Sequence, residues 1–446
     1  MSQVNALTNY HVVIGLGKTG DSAVRHLLAQ GENVIAMDTR EEAPFASELR
    51  ATYPDLQLIE GGLDASVLIN AARIIASPGI PLATDEIQRA IDAGVPVVSD
   101  IQVFAEAANA PIIAITGSNA KSTVTTLVGE MAKQCGLKAA VGGNLGTPAL
   151  ELLNSDIDVY VMELSSFQLE ATEHLNAKVA TVLNISPDHL DRYDSYEGYY
   201  QTKYKIFNGC EKAVINLDDN LAQPKTLNCP EQIGFSIDGK GADFVLDRTA
   251  QPWQLIVEGD ALLSVDQLKI KGLHNYSNAL AALALGHGFG LDMDGMLKAL
   301  KSFPGLDHRC QWIKQVDEVD FYNDSKGTNV GATEAALKGL GPEYAKRIVL
   351  MLGGVGKDAD FKVLRPVIDQ YVSKVIVYGQ DQDIIAKDLS GVDLDRAESF
   401  EQAFEMAYRN ADHKGAVVFS PACASFDMFS GFEARGEAFK SMVEAL

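Results

Sequence analysis

Three successive α/β units built on parallel sheets are the architecture this sequence predicts, and three observations carry the prediction. Short β-branched runs alternate with amphipathic segments along almost all of the 446 residues, the rhythm of strand–helix–strand units. A glycine-rich turn falls twice between a strand and a helix, at Gly15-Leu16-Gly17-Lys18-Thr19-Gly20 and at Thr116-Gly117-Ser118-Asn119-Ala120-Lys121-Ser122-Thr123. The rhythm breaks once, at the polar stretch from Cys229 to Lys269, whose alternating pieces such as Gln254-Leu255-Ile256-Val257 suggest an antiparallel insertion.

In chain order, Tyr10-His11-Val12-Val13-Ile14 reads as a buried strand, Asp21 to Gln30 as a helix and Asn33 to Met37 as the next strand. Leu56 to Ile59, Arg73 to Ala76 and Val95 to Val98 complete the first unit, about one hundred residues long. The second opens on the strand Ala110 to Thr116, with a long helix after Lys121. Val159 to Met162, Val179 to Ile185 and Ala213 to Asn216 follow it. The third begins near Pro304-Gly305, with Phe321, Ile348 to Met351, Val375 to Tyr378 and Ala416 to Phe419 as its strands. Breaks are placed near residues 101 and 305.

Sixty acidic against 37 basic residues leave a net charge of −23. Such a field repels a phosphate backbone, so nucleic acid is not an expected partner. No apolar stretch approaches the ~18 residues of a membrane span. Met1 to Asn5 lacks the basic and apolar regions of a secretory signal, so a cytoplasmic location is expected. The five cysteines are scattered without CxxC spacing, and neither a disulfide framework nor a zinc site is predicted.

With Asp38 ending the second strand, the first glycine turn fits a dinucleotide fingerprint. Its glycines bring the backbone to a phosphate at a helix N-terminus, and the acid takes a ribose hydroxyl. A UDP-linked headgroup would use the same turn, with Thr39, Arg40 and Ser77-Pro78-Gly79 close by; a glycine turn that binds nothing is the plainer alternative. The second turn reads as a phosphate loop of the shorter GxxxK type. Its amides would cradle phosphates, Lys121 would neutralise β/γ charge and Ser122 would hold Mg²⁺.

Ala120 stands where such a loop usually has glycine. A left-handed φ there would cost about 1–2 kcal/mol, so a helical φ, harmless to alanine, is predicted at this helix start. Glu163 and His189 follow strands whose C-terminal ends face a ligand crevice, where they would reach a metal beside the phosphate loop. Asn278, Arg309 and Asp324 offer an amide, a guanidinium and a carboxylate suited to a purine, a γ-phosphate and a ribose. Singly, each would equally serve as a cap or a surface ion pair.

The ordered blocks GSNAKST, ELSSFQLE, NISPDHLDRY, HNYSNALAA, HRCQ, NDSKGTN and SPACASFDMF span essentially the whole chain. Together they resemble the Mur ligases, the ATP-dependent amino-acid-adding enzymes of peptidoglycan synthesis. GLGKTG, MDTR and LGGVGKDADF favour the branch that adds D-glutamate. The resemblance implies an N-terminal Rossmann-like domain (1–101) for the UDP end of the substrate and a central P-loop ATPase-like parallel sheet with a small antiparallel insertion (102–305) for ATP. A C-terminal Rossmann-like domain (306–446) for the amino acid completes it. The implied reaction joins D-glutamate to UDP-N-acetylmuramoyl-L-alanine through an acyl phosphate, with ATP, Mg²⁺ at two sites and a monomeric enzyme.

Carried onto this sequence, the resemblance assigns Gly117, Ser118, Asn119, Ala120, Lys121, Ser122 and Thr123 to ATP, together with Asn278, Arg309, Asp324 and Lys326. Gly17, Lys18, Thr19, Asp38, Thr39, Arg40, Ser77, Gly79, Asn144 and Ser165 fall to the UDP-linked substrate. Lys357, Thr328, Ser425 and Phe432 fall to D-glutamate, an ammonium with hydroxyl and N–H donors making a fair anion site. Ser122, Glu163, His189 and Lys203 would serve the metal, with Lys203 as a carbamate, and Lys121, His189 and Lys203 are the implied catalytic set. The rivals are a sister Mur or folylpolyglutamate-type ligase, a nicotinamide-dependent oxidoreductase, and a non-catalytic nucleotide-binding regulator. The oxidoreductase would leave the second turn and every later block without a role.

Overall fold

The computed structural model describes residues 9–188, 192–239, 241–357 and 359–446. Three sheets follow the three expected α/β units. The first joins β1 (Tyr10–Ile14), β2 (Asn33–Met37), β3 (Gln57–Ile59), β4 (Arg73–Ala76) and β5 (Val97–Val98) in the order β3-β2-β1-β4-β5. Its pairs are parallel throughout. Helix Lys18–Ala29 starts directly at the glycine turn, three residues before the expected Asp21.

The second sheet holds β6 (Ile112–Thr116), β7 (Ala139–Gly143), β8 (Val159–Glu163), β9 (Val179–Val182) and β10 (Lys212–Asn216). It continues through β11 (Glu231–Ser236), β12 (Phe244–Asp247), β13 (Gln254–Val257) and β14 (Asp260–Ser264). Their order is β14-β13-β12-β11-β10-β9-β6-β8-β7. The antiparallel reading of 229–269 does not hold at its start. β11 and β12 extend the sheet in parallel, because their connections return the chain to the same sheet end. β13 and β14 are neighbours joined by Glu258-Gly259 alone, with φ 51 and 93. A link that short joins only antiparallel strands.

In the third sheet, β15 (Gln311–Val316) pairs antiparallel with β16 (Val319–Asn323). β17 (Ile348–Gly353), β18 (Val372–Tyr378), β19 (Leu394–Arg396) and β20 (Ala416–Phe419) complete the order β15-β16-β20-β17-β18-β19, parallel from β16 onward. The β15–β16 hairpin was not foreseen. Its turn residues Asp317 and Glu318 both take positive φ, 50 and 63, without the Asn-Gly signal that marks such turns.

The chain forms two compact units. Of the described residues, the first contains those up to Asp247 with Leu255–Leu262 and Ala279–Leu300; the second contains those in Arg248–Gln254, Leu263–Asn278 and Lys301–Leu446. Within the first unit one apolar core runs from Leu16 and Val24 through Ile101 and Phe104 to Tyr160 and Leu164. Phe104 meets Tyr160 edge-on with centroids 5.1 Å apart, worth about 0.5–1.5 kcal/mol beyond burial alone. Among the described residues no helix is long and apolar enough to cross a membrane.

Candidate functional site

The first glycine turn is held in shape by three contacts. A Cβ on Gly20 would run into the Gly15 carbonyl oxygen, so only glycine lets the helix lie this close to β1. Ser77 Oγ donates to the same carbonyl at 2.6 Å, and the Leu16 amide donates to Asp38 at 2.6 Å. Gly17 is the N-cap of this helix and has no side chain with which to bond its amides, which leaves the positive end of the helix available to an anion.

Asp38, expected to meet a ribose, is also held by donors within the turn itself. Its side chain is buried, and its oxygens already accept from the Leu16 amide and from the amide, Nε and Nη2 of Arg40. Burial alone would raise its pKa; the Arg40 and Leu16 donors outweigh that and hold it at about 2. A buried carboxylate keeps its charge only when so bonded. Asp38 therefore positions the turn and the Arg40 side chain.

A cavity of about 580 Å³ opens beside this turn. Gly17, Lys18, Thr19, Thr39, Arg40 and Gly79 line it from the first sheet, together with Asp38 and Ser77. Asn144, Gly146, Pro148 and Gln168 line it from the second. Ser165, expected here, does not line it. Its hydroxyl instead caps helix Ser166–Glu170 in a reciprocal box with Gln168, the ordinary use of a serine at a helix start. Gln168 and Arg192 were not anticipated. Arg192 donates to the carbonyls of Pro78 and Ile80 at 3.1 and 3.0 Å and to Glu170 at 2.9 Å, fixing one rim of the cavity. Both stand inside blocks quoted above, but only the fold brings Arg192 to Pro78.

The second turn connects β6 to helix Lys121–Gln134. Ala120 has φ 65 and ψ 0, left-handed and contrary to the helical conformation expected. The cause is in its neighbours. The Ser118 amide donates to the Asn184 carbonyl at 2.9 Å and the Asn119 amide to Asn184 Oδ1 at 2.8 Å. One residue then remains to swing the chain onto the helix axis, and a positive φ does so. Lys121 Nζ reaches back to the carbonyls of Gly117 and Ser118 at 2.9 and 3.0 Å. Ser122 and Thr123 are buried at the first turn. Tyr199, also unanticipated, has its hydroxyl 2.9 Å from Ser118 Oγ.

Lys203, on helix Tyr196–Tyr204, enters this loop from the other side. It is buried and donates to the Gly117 carbonyl at 3.0 Å, the acceptor that Lys121 also uses. Burial first, and then the Lys121 charge, push its pKa down to about 7. Glu163, at the end of β8, is buried as well. One oxygen accepts from Asn144 Nδ2 at 2.7 Å; Oε2 has no hydrogen-bond partner among the described residues. An unpartnered buried carboxylate oxygen beside a phosphate loop is a donor that fits a hard cation. His189 lies outside the described residues.

In the second unit Asp324, Lys326, Thr328, Lys357 and Ser425 follow the C-terminal ends of the parallel strands β16, β17 and β20, where open α/β sheets bind ligands. Asp324 follows β16 and is buried, accepting from Ser420 Oγ at 2.6 Å and the Cys310 amide at 3.0 Å. Burial pushes its pKa up to about 7. Lys326 lies over the Phe432 ring at 3.8 Å, and burial followed by the Arg309 charge lowers its pKa. Arg309 and Lys357 are exposed, Thr328 is half-buried and Ser425 is buried. A bridge between Val355 and Ala424 brings the Lys357 and Ser425 segments together. Asn278 is buried on helix Leu273–Phe289, its amide donating to Asn275 Oδ1 at 3.2 Å.

Comparison with known proteins matches the same blocks. The family described as "Mur ligase middle domain" matches residues 115–286, "Mur ligase MurD-like, N-terminal domain" residues 9–99 and "Mur ligase, glutamate ligase domain" residues 308–423. The UDP-N-acetylmuramoylalanine–D-glutamate ligase of Pseudomonas aeruginosa is 48% identical over 445 residues, 99% of either chain. That of Hahella chejuensis is 48% identical over 437 residues, 97% of this chain and 98% of its own. A UDP-N-acetylmuramate-alanine ligase structure from Thermotoga maritima aligns over 98% of this chain and 99% of its own, with a TM-score of 0.57 and 19% identity. A pseudomurein peptide ligase type C from Methanothermus fervidus covers 98% and 100%, with a TM-score of 0.59 and 17% identity. The structural similarities concern the fold, while the sequence identity extends end to end. The chain belongs to the Mur ligase family.

Proposed function

We infer that this chain is an ATP-dependent ligase that joins D-glutamate to UDP-N-acetylmuramoyl-L-alanine during synthesis of the peptidoglycan precursor. The observation that carries the reading is identity near one half, sustained over 99% of the chain, with ligases of that name. The 580 Å³ cavity at an uncapped helix N-terminus, with Lys18 and Arg40 on its wall, supports placement of the anionic UDP end there.

The reaction follows from the weakness of a carboxylate as an electrophile. An oxygen of the substrate carboxylate bonds to the γ-phosphorus of ATP, the bond to the β-phosphate oxygen breaks, and ADP leaves an acyl phosphate. The D-glutamate amine then bonds to the acyl carbon, and the tetrahedral intermediate expels phosphate as the nitrogen loses a proton. Gly117 to Thr123 hold the ATP phosphates, with Lys121 balancing charge that builds on the transferring group. Ser122, Glu163, His189 and Lys203 would hold Mg²⁺ at two sites, and the unpartnered Glu163 Oε2 supports that assignment. Bound there, Mg²⁺ supplies positive charge to the phosphoryl oxygens.

We further propose that Lys203 works as a carbamate. A pKa of about 7 makes much of its amine neutral at physiological pH; the amine adds to CO₂, loses a proton and gains an anionic oxygen donor. Lys203→Ala is expected to lose at least about a hundredfold in turnover, without recovery on adding bicarbonate. ¹³C-bicarbonate should give a carbamate resonance in the native protein that the variant lacks. Wild-type turnover in the variant removes the assignment.

Asn278, Arg309, Asp324 and Lys326 are proposed for ATP, and Thr328, Lys357, Ser425 and Phe432 for D-glutamate. Each is tested by its own substitution against the KM of the corresponding substrate. Domain limits at 101 and 305 and a cytoplasmic monomer complete the proposal; limited proteolysis and light scattering check the limits and the monomer. The decisive assay is phosphate release with ATP, Mg²⁺ and UDP-N-acetylmuramoyl-L-alanine, comparing D-glutamate with L-glutamate, L-alanine and diaminopimelate. Release with D-glutamate alone is the expected result. Release with another amino acid moves the chain to a sister ligase.

A further inference from the structure

Cys210 and Cys229 are 19 positions apart in sequence, yet their sulfurs are 3.2 Å apart. Sheet register explains the meeting. Lys212 at the start of β10 pairs with Glu231 at the start of β11 in a parallel ladder. Each cysteine stands two residues before its member of that pair, so the two occupy the next position on the same face. Adjacent strands run about 4.8 Å apart, within the ~4.4–6.8 Å Cα separation a disulfide spans. Lys212 and Glu231 side chains make an ion pair of 3.0 Å on that face. Both cysteines are free thiols, Cys210 buried and Cys229 half-buried.

A second feature is a cavity next to the pair. Its volume is about 640 Å³, and it is lined by Gly209 and Asn228, the residues immediately before the two cysteines, and by Lys205, Lys225 and His174. It is separate from the residues assigned above to ATP, the UDP-linked substrate and D-glutamate. Cys210 Sγ lies within hydrogen-bond distance of Cys229 Sγ, and Cys229, the more exposed of the two, is the sulfur a peroxide reaches first, reacting as its thiolate. Burial raises the pKa of Cys210 and keeps it a thiol.

We propose that Cys210 and Cys229 form a reversible oxidation site that a peroxide converts to an intramolecular disulfide, closing the loop between β10 and β11. The Cys229 thiolate attacks one peroxide oxygen; an S–O bond forms, the O–O bond breaks, and hydroxide leaves. Cys210 sulfur then attacks Cys229 sulfur; the S–S bond forms, the S–O bond breaks, and the departing hydroxide takes the Cys210 proton as water. Two thiols lose two electrons and the peroxide gains them. The sulfurs need to close by only about 1 Å to reach bonding distance.

The test uses the full-length protein and hydrogen peroxide. Thiols titrated in denaturant should fall from the five of the sequence to three, two having joined, and dithiothreitol should restore all five. Trypsin releases Ile206–Lys212 and Thr226–Lys240, and these should appear as one linked pair. In Cys229→Ser, Cys210 should oxidise at least about tenfold more slowly than in the native protein. Three results overturn the proposal: Cys229 accumulating as sulfinic acid while Cys210 stays a thiol, first oxidation at Cys135, Cys310 or Cys423, or a disulfide-linked dimer.

Discussion

Ala120 shows how much a single backbone torsion depends on its neighbours. Sequence reasoning assigned it a helical φ, and the structure places it at φ 65, because Asn184 anchors the two residues before it. Ala120→Gly is therefore expected to stabilise the protein by about 0.5–1 kcal/mol, the left-handed strain outweighing glycine's larger chain entropy. Chemical denaturation reads this directly, and a less stable glycine variant would contradict it. Asp324 gives a pH signature. Burial lifts its folded pKa to about 7, above the ordinary aspartate value of 3.8, so between these values the folded state holds the extra proton. Its contribution to stability is present below the lower value and is lost as pH rises through the upper one. Asp324→Asn should remove that part of the slope, so its stability relative to the native protein should improve from about pH 4 to pH 8. An unchanged difference across that range rules the account out.

At the scale of elements, the first helix and the strand before it act as one piece. Gly20→Ala drives a Cβ into the Gly15 carbonyl and should cost at least about 2 kcal/mol. It should also raise the KM for the UDP-linked substrate, since the helix end and the cavity shift together. Gly17→Ala is the matched control. Gly17 has φ −82, and nothing lies within 4 Å of its would-be Cβ, so stability should change by less than about 0.5 kcal/mol. Equal losses in the two variants would show that close approach is not the cause. Ser165→Ala removes a capping box and should cost about 1 kcal/mol. It reports on helix Ser166–Glu170, which carries Gln168 to the cavity wall.

For the molecule as a whole, the charge of −23 makes like-charge repulsion a general destabilising term. Raising ionic strength from about 0.02 to 0.3 M should raise the thermal midpoint by screening it; a fall would assign the balance to attractive pairs such as Arg40–Asp38. The fold class, most of the buried central strands and both glycine turns were legible in the sequence, because hydrophobic period and turn chemistry act over a few residues; the sheet orders, and short strands such as Ala139–Gly143 and Leu394–Arg396, were not. The β15–β16 hairpin was not, since its Asp317-Glu318 turn lacks a glycine signal. Tertiary structure alone decided that Asp38 positions Arg40, that Ser165 caps a helix and that Cys210 meets Cys229. It also decided that Lys203 is buried against Lys121 and holds its proton weakly. Each of these depends on burial, sheet register or a partner distant in sequence, and such quantities exist only once the chain is packed.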